Sequence, residues 1–289
     1  MAKSRKTDKG RFRDKRGTGT GKDYKPWLKR IEISGNKGRS HRPLGMKTGR
    51  HHELFSDLEY TFFLLAEWDD NVIDIQEQYP LLPIEQTEMI ADELSVKHPS
   101  IVAKRKVIPK YKHSSIYYEK ENIVMTTDFL LTMNDGTIIA KTIKSKADLK
   151  KKRTLEKLII ESKYWELRGI MYEVITDEFL LKVFRRNLSL IRGGYIWYKN
   201  YGIDDLTVIK IKKELLLKAG KTTANFTQIC RQIDKKFCLE KMTSMNVFRL
   251  LLWTKDIKTD LNITLDFTKM KIETGMGDNI ETINFKRCS

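Results

Sequence analysis

Asp128 stands in the apolar stretch Met125-Thr-Thr-Asp-Phe-Leu-Leu131, where an ionised carboxylate is costly unless a metal ion or a cation pairs with it. Sixteen residues later Lys144 ends the run Ile138-Ile-Ala-Lys-Thr-Ile-Lys144. Strand side chains alternate, so Thr142, Lys144 and Lys146 share one face, and acid and ammonium converge if the two runs pair. A third charged group, Glu59, follows Ser56 by three residues at the head of an apolar stretch. Clustered acids suit phosphodiester hydrolysis, because carboxylates that hold one or two Mg²⁺ ions stabilise charge at the phosphate and activate a water. Each residue also has a plainer role. Glu59 reads as the capping acid of Ser56, Lys144 as a solvated strand lysine, and Asp128 as a core ion-pair partner of Arg153.

The elements that must position these groups follow from periodicity. Phe55 to Trp68 carries Leu58, Phe62 and Leu65 on one helical face, with Ser56 as N-cap and Glu59 completing a capping box. Asn71 to Tyr79 reads as a short strand stopped by Pro80-Leu-Leu-Pro83, and residues 84 to 118 as helix fragments and loop. Asn122 to Met133 and Thr137 to Ser145 are two strands around Asn134-Asp-Gly136, a turn sequence that makes the pair an antiparallel hairpin. Asp148 to Arg168 is an amphipathic helix closed by Gly169, and Ile170 to Thr176 a strand reached by that crossover and parallel to the earlier ones. The sum is an α/β core with a mixed sheet. Beyond Asp177, Lys182 to Asn200 reads as a connector; Leu206 to Ala219, Phe226 to Leu239 and Ser244 to Trp253 read as three helices, and Ile257 to Phe267 as a short hairpin. Three helices and a wing describe a winged helix, with Ser244, Asn246 and Arg249 turned toward DNA or a protein.

Charge narrows the partner. The 289 residues hold 55 Lys and Arg against 38 Asp and Glu, a net +17. Residues 1 to 50 contain 17 Lys and Arg and 4 Asp and Glu, hence +13 of that total. Glycine-rich and without helical periodicity, much of this arm is expected to be flexible or extended when free, while the interleaved Tyr24, Trp27, His41 and Arg42 favour a docked, functional arm, and it suits a polyphosphate. Lys22, Lys25, Arg39, His41, Arg42 and Arg50 are its candidate DNA contacts, a solvated tail being the alternative. Gly17-Thr-Gly-Thr-Gly-Lys22 lacks the spacing of a nucleotide-binding loop. His51-His52 beside Glu53 reads as a metal pair or, more simply, as a loop near DNA. No apolar run approaches a membrane span or a secretory signal, so a cytoplasmic, nucleoid-associated protein is expected. Cys230, Cys238 and Cys288 form no Cys-x-x-Cys pair, which excludes a zinc ribbon.

Two resemblances sharpen the reading. The chain order Glu, Asp, x, Lys is similar to that of restriction-endonuclease-like nucleases. Gly21-Lys-Asp-Tyr-Lys-Pro-Trp27, Gly38-Arg-Ser-His41, Ser56-Asp-Leu-Glu59, Ile75-Gln-Glu-Gln-Tyr-Pro-Leu-Leu-Pro83, Thr127-Asp-Phe-Leu130 and Arg153-Thr-Leu-Glu-Lys-Leu158 resemble the TnsA family of transposon endonucleases. That resemblance covers about residues 21 to 177. It implies a restriction-endonuclease-like mixed-sheet domain over 51–181 after a basic arm, 1–50, and a mainly α winged-helix domain over 182–289. It further implies a Mg²⁺-dependent enzyme, Mn²⁺ substituting, that cuts the 5′ strands of double-stranded transposon-end DNA beside a TnsB-type transposase, with a TnsC-type AAA+ ATPase bound through the C-terminal domain and no membrane partner. By the same resemblance Glu59 and Asp128 become metal ligands, Lys144 orients the attacking water, and Glu161 is a further important acid. Thr142 departs from the pattern, since an acid or glutamine is usual there. A hydroxyl is a weak ligand, so water or the Ile143 backbone carbonyl is left to complete the coordination. The rival class is a non-catalytic DNA-binding adapter that recruits transposition partners.

Overall fold

The structure is a computed structural model that describes residues 8–32, 39–110, 113–218, 224–268, 270–275 and 282–287, with the backbone alone over 102–119, 270–275 and 282–287. Gly38 and Cys288 lie outside the described residues. The chain forms two compact units, Met1–Phe179 and Leu180–Ser289.

The first unit is built on a four-stranded sheet of β1 (Val72–Pro80), β4 (Thr126–Met133), β5 (Ile138–Lys144) and β6 (Met171–Thr176), in the spatial order β1-β4-β5-β6. β4 is antiparallel to both β1 and β5, while β6 is parallel to β5, so the sheet is mixed. The Asn134-Asp-Gly136 turn joins β4 to β5 with Gly136 at φ +85°, a conformation glycine adopts without strain. A crossover through α4 (Lys146–Leu149) and α5 (Lys152–Glu166) carries the chain to β6, as parallel strands require.

Both faces of the sheet are covered. On one side α2 (Asp57–Trp68) sets Phe62 against Phe129, ring centroids 4.9 Å apart. On the other, α3 (Ile84–Glu93) and α5 contribute Ile90, Ala91, Ile160, Tyr164 and Trp165 to a cluster with Leu81, Met125, Leu130 and Ala140. Residues 84–118, expected as helix fragments and loop, are instead α3 followed by an antiparallel hairpin, β2 (Ser100–Lys110) and β3 (His113–Asn122). Its strands are rich in Lys and Tyr and lack the apolar alternation that a packed sheet displays in sequence.

The arm is not a free tail. It opens with α1 (Asp8–Arg13), and residues 19–27 then run along β1, the edge strand of the sheet. The Trp27 N–H donates to the Gln78 carbonyl at 3.2 Å, the Tyr24 hydroxyl to the Glu77 carbonyl at 3.1 Å, and the Gly21 N–H to Asp74 at 3.1 Å. A sheet edge otherwise presents unpaired backbone groups; here the arm covers it, and Trp27 and Tyr24 are buried in doing so. Residues 39–54 pack back on themselves through the bridges His41↔Leu54 and Leu44↔His51. Charge and glycine content alone suggest a loose segment; the docking expected from Tyr24 and Trp27 is what the structure has, with the carboxylate partners Asp74 and Glu77 of β1.

In the second unit the expected connector is a 20-residue helix, α6 (Lys182–Tyr201), ended by Gly202 at φ +62°. Gly193 and Gly194 sit inside it, and the second lies against the backbone at Arg249 and Leu250. α7 (Asp205–Lys218), α8 (Phe226–Lys236) and α9 (Thr243–Trp253) follow. Phe226, Phe248 and Phe267 form an aromatic core, with centroids 4.4 to 5.7 Å apart. The hairpin expected at Ile257–Phe267 is absent because that segment bonds elsewhere: Asn187 donates to the carbonyls of Leu261 and Ile263, and the Phe267 carbonyl accepts from the Thr227 N–H. The hairpin of this unit is β7 (Met270–Gly275) with β8 (Thr282–Arg287). α9 is a core helix, not a helix exposed for reading DNA. Ser244 is fully buried with its N–H on Asp234, and Arg249 lies over the Phe267 ring. No helix among the described residues is long and apolar enough to cross a membrane.

Candidate active site

Hairpin geometry brings Asp128 of β4 and Lys144 of β5 together. The Lys144 Nζ donates to Asp128 Oδ2 at 2.8 Å and to its neighbour's carbonyl, Ile143 O, at 3.0 Å. The Ile143 N–H also donates to Asp128 Oδ2 at 2.8 Å. Asp128 therefore pairs with Lys144 and not with Arg153, whose guanidinium bonds Glu156. The two oxygens that the ammonium bridges are one carboxylate and one backbone carbonyl, a pair suited to a hard cation.

Two further acids face this pair. Glu59 sits in the first turn of α2, where Ser56 caps the helix by accepting from the Glu59 N–H at 3.1 Å. Its carboxylate returns the bond, accepting from the Ser56 hydroxyl at 3.1 Å and the Phe55 N–H at 2.9 Å. Capping and site membership are thus compatible: the cap holds the carboxylate still while it remains close enough to Asp128 to sense its charge. Burial, and then the Asp128 charge, push the Glu59 carboxyl up to about 8. Glu161 of α5 is buried beneath the strands and accepts from the Thr142 hydroxyl. Burial and Asp128 together raise it to about 7. Burial alone would lower Lys144, but Asp128, Glu161 and Glu59 hold it above its ordinary value. The raised carboxyl values mean that one ammonium does not offset three ionised carboxyls, so Glu59 and Glu161 hold protons that full ionisation would shed. This shortfall of positive charge is what a bound cation would relieve.

The donors are nevertheless not a finished metal cage. Among the described residues no group of three or more His, Cys, Asp and Glu side chains is arranged to hold a metal ion. Thr142, expected to lean toward a metal, has its hydroxyl committed to Glu161. His52, expected near a metal or DNA, is fully buried and bonded through Nδ1 to Glu77 at 2.7 Å and through Nε2 to Thr48 at 2.8 Å. A histidine with both nitrogens engaged inside the core is a structural group.

The expected DNA contacts divide. Lys22, Lys25 and Arg39 are exposed. Arg42 is largely exposed and pairs with Glu53 at 3.2 Å. His41 stacks on Tyr60 and bonds Asp57 at 2.6 Å. Arg50 is the correction: its guanidinium bonds both oxygens of Glu77 at 2.8 and 2.7 Å, the Ile75 carbonyl at 2.8 Å and the Gly21 carbonyl at 3.0 Å. With its donors spent on buried acceptors it clamps the arm to β1 and has no fork left for a phosphate.

Sequence reasoning passed over two supports of the site. Gln78 reaches Glu59 with its amide at 3.4 Å, and Trp165 donates to the Thr127 hydroxyl at 2.7 Å, next to Asp128. The polar residues Asp74, Gln76, Glu77 and Gln78, set among Val72, Ile73 and Ile75 in one strand, are a legible signal for the first, since buried polar side chains in a strand need partners. Nothing local marked Trp165, which reads as an ordinary core residue.

Comparison with known proteins supplies the family. Residues 69–177 match the family model for the TnsA-like endonuclease N terminal, and residues 181–261 that for the TnsA endonuclease C terminal. Glu59 lies outside the first match. The chain is 35% identical over 243 residues, 83% of this chain and 81% of the other, to the transposon Tn7 transposition protein TnsA of Escherichia coli. An α/β unit on a mixed sheet, with acids and a lysine converging at its centre, therefore has a family: the chain belongs to the TnsA family of transposition endonucleases.

Proposed function

We propose that the protein is a Mg²⁺-dependent endonuclease subunit of a heteromeric transposase, and that it cuts the 5′ strand at each transposon end. The observation that carries this reading is the convergence of Asp128 and the Ile143 carbonyl on one cation position, now filled by the Lys144 ammonium, beside the buried carboxyls of Glu59 and Glu161. In this reading the first unit is restriction-endonuclease-like, and the second is a winged-helix variant with four helices whose wing is β7–β8.

Asp128, the Ile143 carbonyl and Glu59 would hold the ion. Once bound, Mg²⁺ supplies Lewis-acid stabilisation of the phosphoryl oxygens and a more acidic water. Lys144 gives up its place between the two oxygens and turns its charge to the attacking water and the phosphorane. Glu161, positioned by Thr142, would supply beside the ion the carboxyl that position 142 lacks. The partners are double-stranded transposon-end DNA, a TnsB-type transposase and a TnsC-type ATPase bound through the second unit, with the assembly in the cytoplasm on the nucleoid.

A second reading, the non-catalytic adapter, draws on the missing metal cage and on the commitment of Thr142 to Glu161. End-labelled transposon-end DNA, incubated with Mg²⁺ and the partner transposase, separates the two. The nuclease reading requires a 5′-strand nick that Asp128→Ala and EDTA both remove. An assembly that cuts only the 3′ strand, with either form of the chain, establishes the adapter.

A further inference from the structure

Lys144 and Glu161 open into a cavity of about 660 Å³. Its walls are α1, the segment around Ile123–Thr126 at the base of the β2–β3 hairpin, and one face of α5. That face is Thr154, Lys157, Leu158 and Glu161, at positions i, i+3, i+4 and i+7 of the helix, the spacing that stacks side chains on one side. Glu161 lies at the buried end and Lys157 is exposed one turn nearer the start of α5. Their separation of four positions spans about 6 Å of helix axis.

Like Lys9 in the same lining, Lys157 has no ion-pair partner among the described residues, while Lys144 is held by Asp128. Lys141 pairs with Glu173, Lys151 with Asp148 and Lys163 with Glu166. Glu161, the acid one turn along, is bound to Thr142. Partial desolvation at the cavity wall, and the positive charges of Arg153 and Lys144, hold the Lys157 ammonium below its ordinary value. Lys9, Lys144, Lys157 and Arg11 line the cavity with the acids Asp8, Glu121 and Glu161; the like charges of Lys144 and Lys157 on its α5 side repel each other, and this arrangement becomes favourable when an anion enters there.

We propose that Lys157 is a positioning residue that binds a DNA phosphate neighbouring the scissile one, so that the strand enters the cavity along the Thr154–Glu161 face of α5 with its reacting phosphate at Asp128 and Lys144. The inference rests on the endonuclease reading and names a contact that reading does not require. A solvated surface lysine is the alternative, and it makes a different prediction.

The test measures binding of a fluorescein-labelled transposon-end duplex to the full chain across a NaCl series, in EDTA so that no strand is cut. Each phosphate neutralised adds about 0.9 to the slope of log K against log salt. Lys157→Ala lowers the affinity and reduces the slope by about 1, Lys157→Arg restores both, and the melting temperature stays that of the wild type. A wild-type chain with a steep slope and a Lys157→Ala form with the same slope overturn the proposal and leave the endonuclease reading standing. The proposal equally fails if alanine and arginine both weaken binding at unchanged slope, which marks a structural role. A wild-type chain that binds the duplex with no salt dependence refutes the DNA reading beneath it.

Discussion

Replacing Glu77 by Gln tests the claim that a buried ion cluster fastens the N-terminal segment to the sheet. Glu77 is fully buried and accepts from both Arg50 amino groups, from His52 and from the Glu53 N–H at 3.0 Å. Burial alone would raise its carboxyl, but the contacts with His52 and Arg50 overcome this and hold it down to about 2 from an ordinary 4.5. At ~1.36 kcal/mol per pH unit, that depression corresponds to about 3 kcal/mol of folding stability. The figure agrees with the roughly 3–5 kcal/mol lost when one partner of a buried pair is removed. A depressed carboxyl contributes fully above its unfolded value, and the contribution is lost as pH falls from about 4.5 toward 2. Linkage leaves less than half of it at pH 3. Urea denaturation of wild type and Glu77→Gln at pH 7 and pH 3 reads both numbers, with the gap expected to shrink by more than half. A gap below about 1 kcal/mol at pH 7, or one that does not change with pH, would refute the argument that the cluster is ionised and stabilising.

Other outcomes follow from contacts already described. A Cβ at position 194 would lie 2.4 Å from the Arg249 Cβ and 2.5 Å from the Leu250 nitrogen, so Gly194→Ala is expected to cost about 1–3 kcal/mol as α6 is pushed from α9. At Gly193 a Cβ meets nothing within 4 Å, and Gly193→Ala should gain roughly 0.5–1 kcal/mol from helix propensity. Thermal melts of the two variants should move in opposite directions. Thr142→Val removes the donor to Glu161 at nearly constant volume; a loss of about 1–3 kcal/mol is expected, with end cleavage impaired and Thr142→Ser recovering both. Undiminished cleavage by the valine form would take Thr142 out of the site.

The pieces of the candidate site were legible in the sequence to the extent that their signals are local. An acid in an apolar strand, a turn sequence between two alternating runs, and Ser56 with Glu59 at a helix start are all short-range patterns, and each element formed where its pattern lies. The β4–β5 hairpin alone is enough to bring Asp128 to Lys144, because antiparallel pairing across a tight turn fixes the register. The two helices of the site arise from the 3.6-residue periodicity of their own sequences. Their depth against the sheet does not.

What tertiary structure decided is how each polar group is partnered. Arg50 and Lys22 belong to the same basic arm, yet one is clamped on Glu77 and the other faces solvent. Ile257–Phe267 alternates like a hairpin, but Asn187, more than seventy residues earlier, takes its backbone bonds. Ser244 reads as a helix-surface residue and is buried because α9 is apolar on nearly every side. Periodicity states which face of an element is apolar, and composition states how much charge must be accommodated. Which acceptor neutralises a given charge depends on distances between residues far apart in the chain. Those distances exist only once the arm has settled on the edge of β1 and the helices have closed over the sheet.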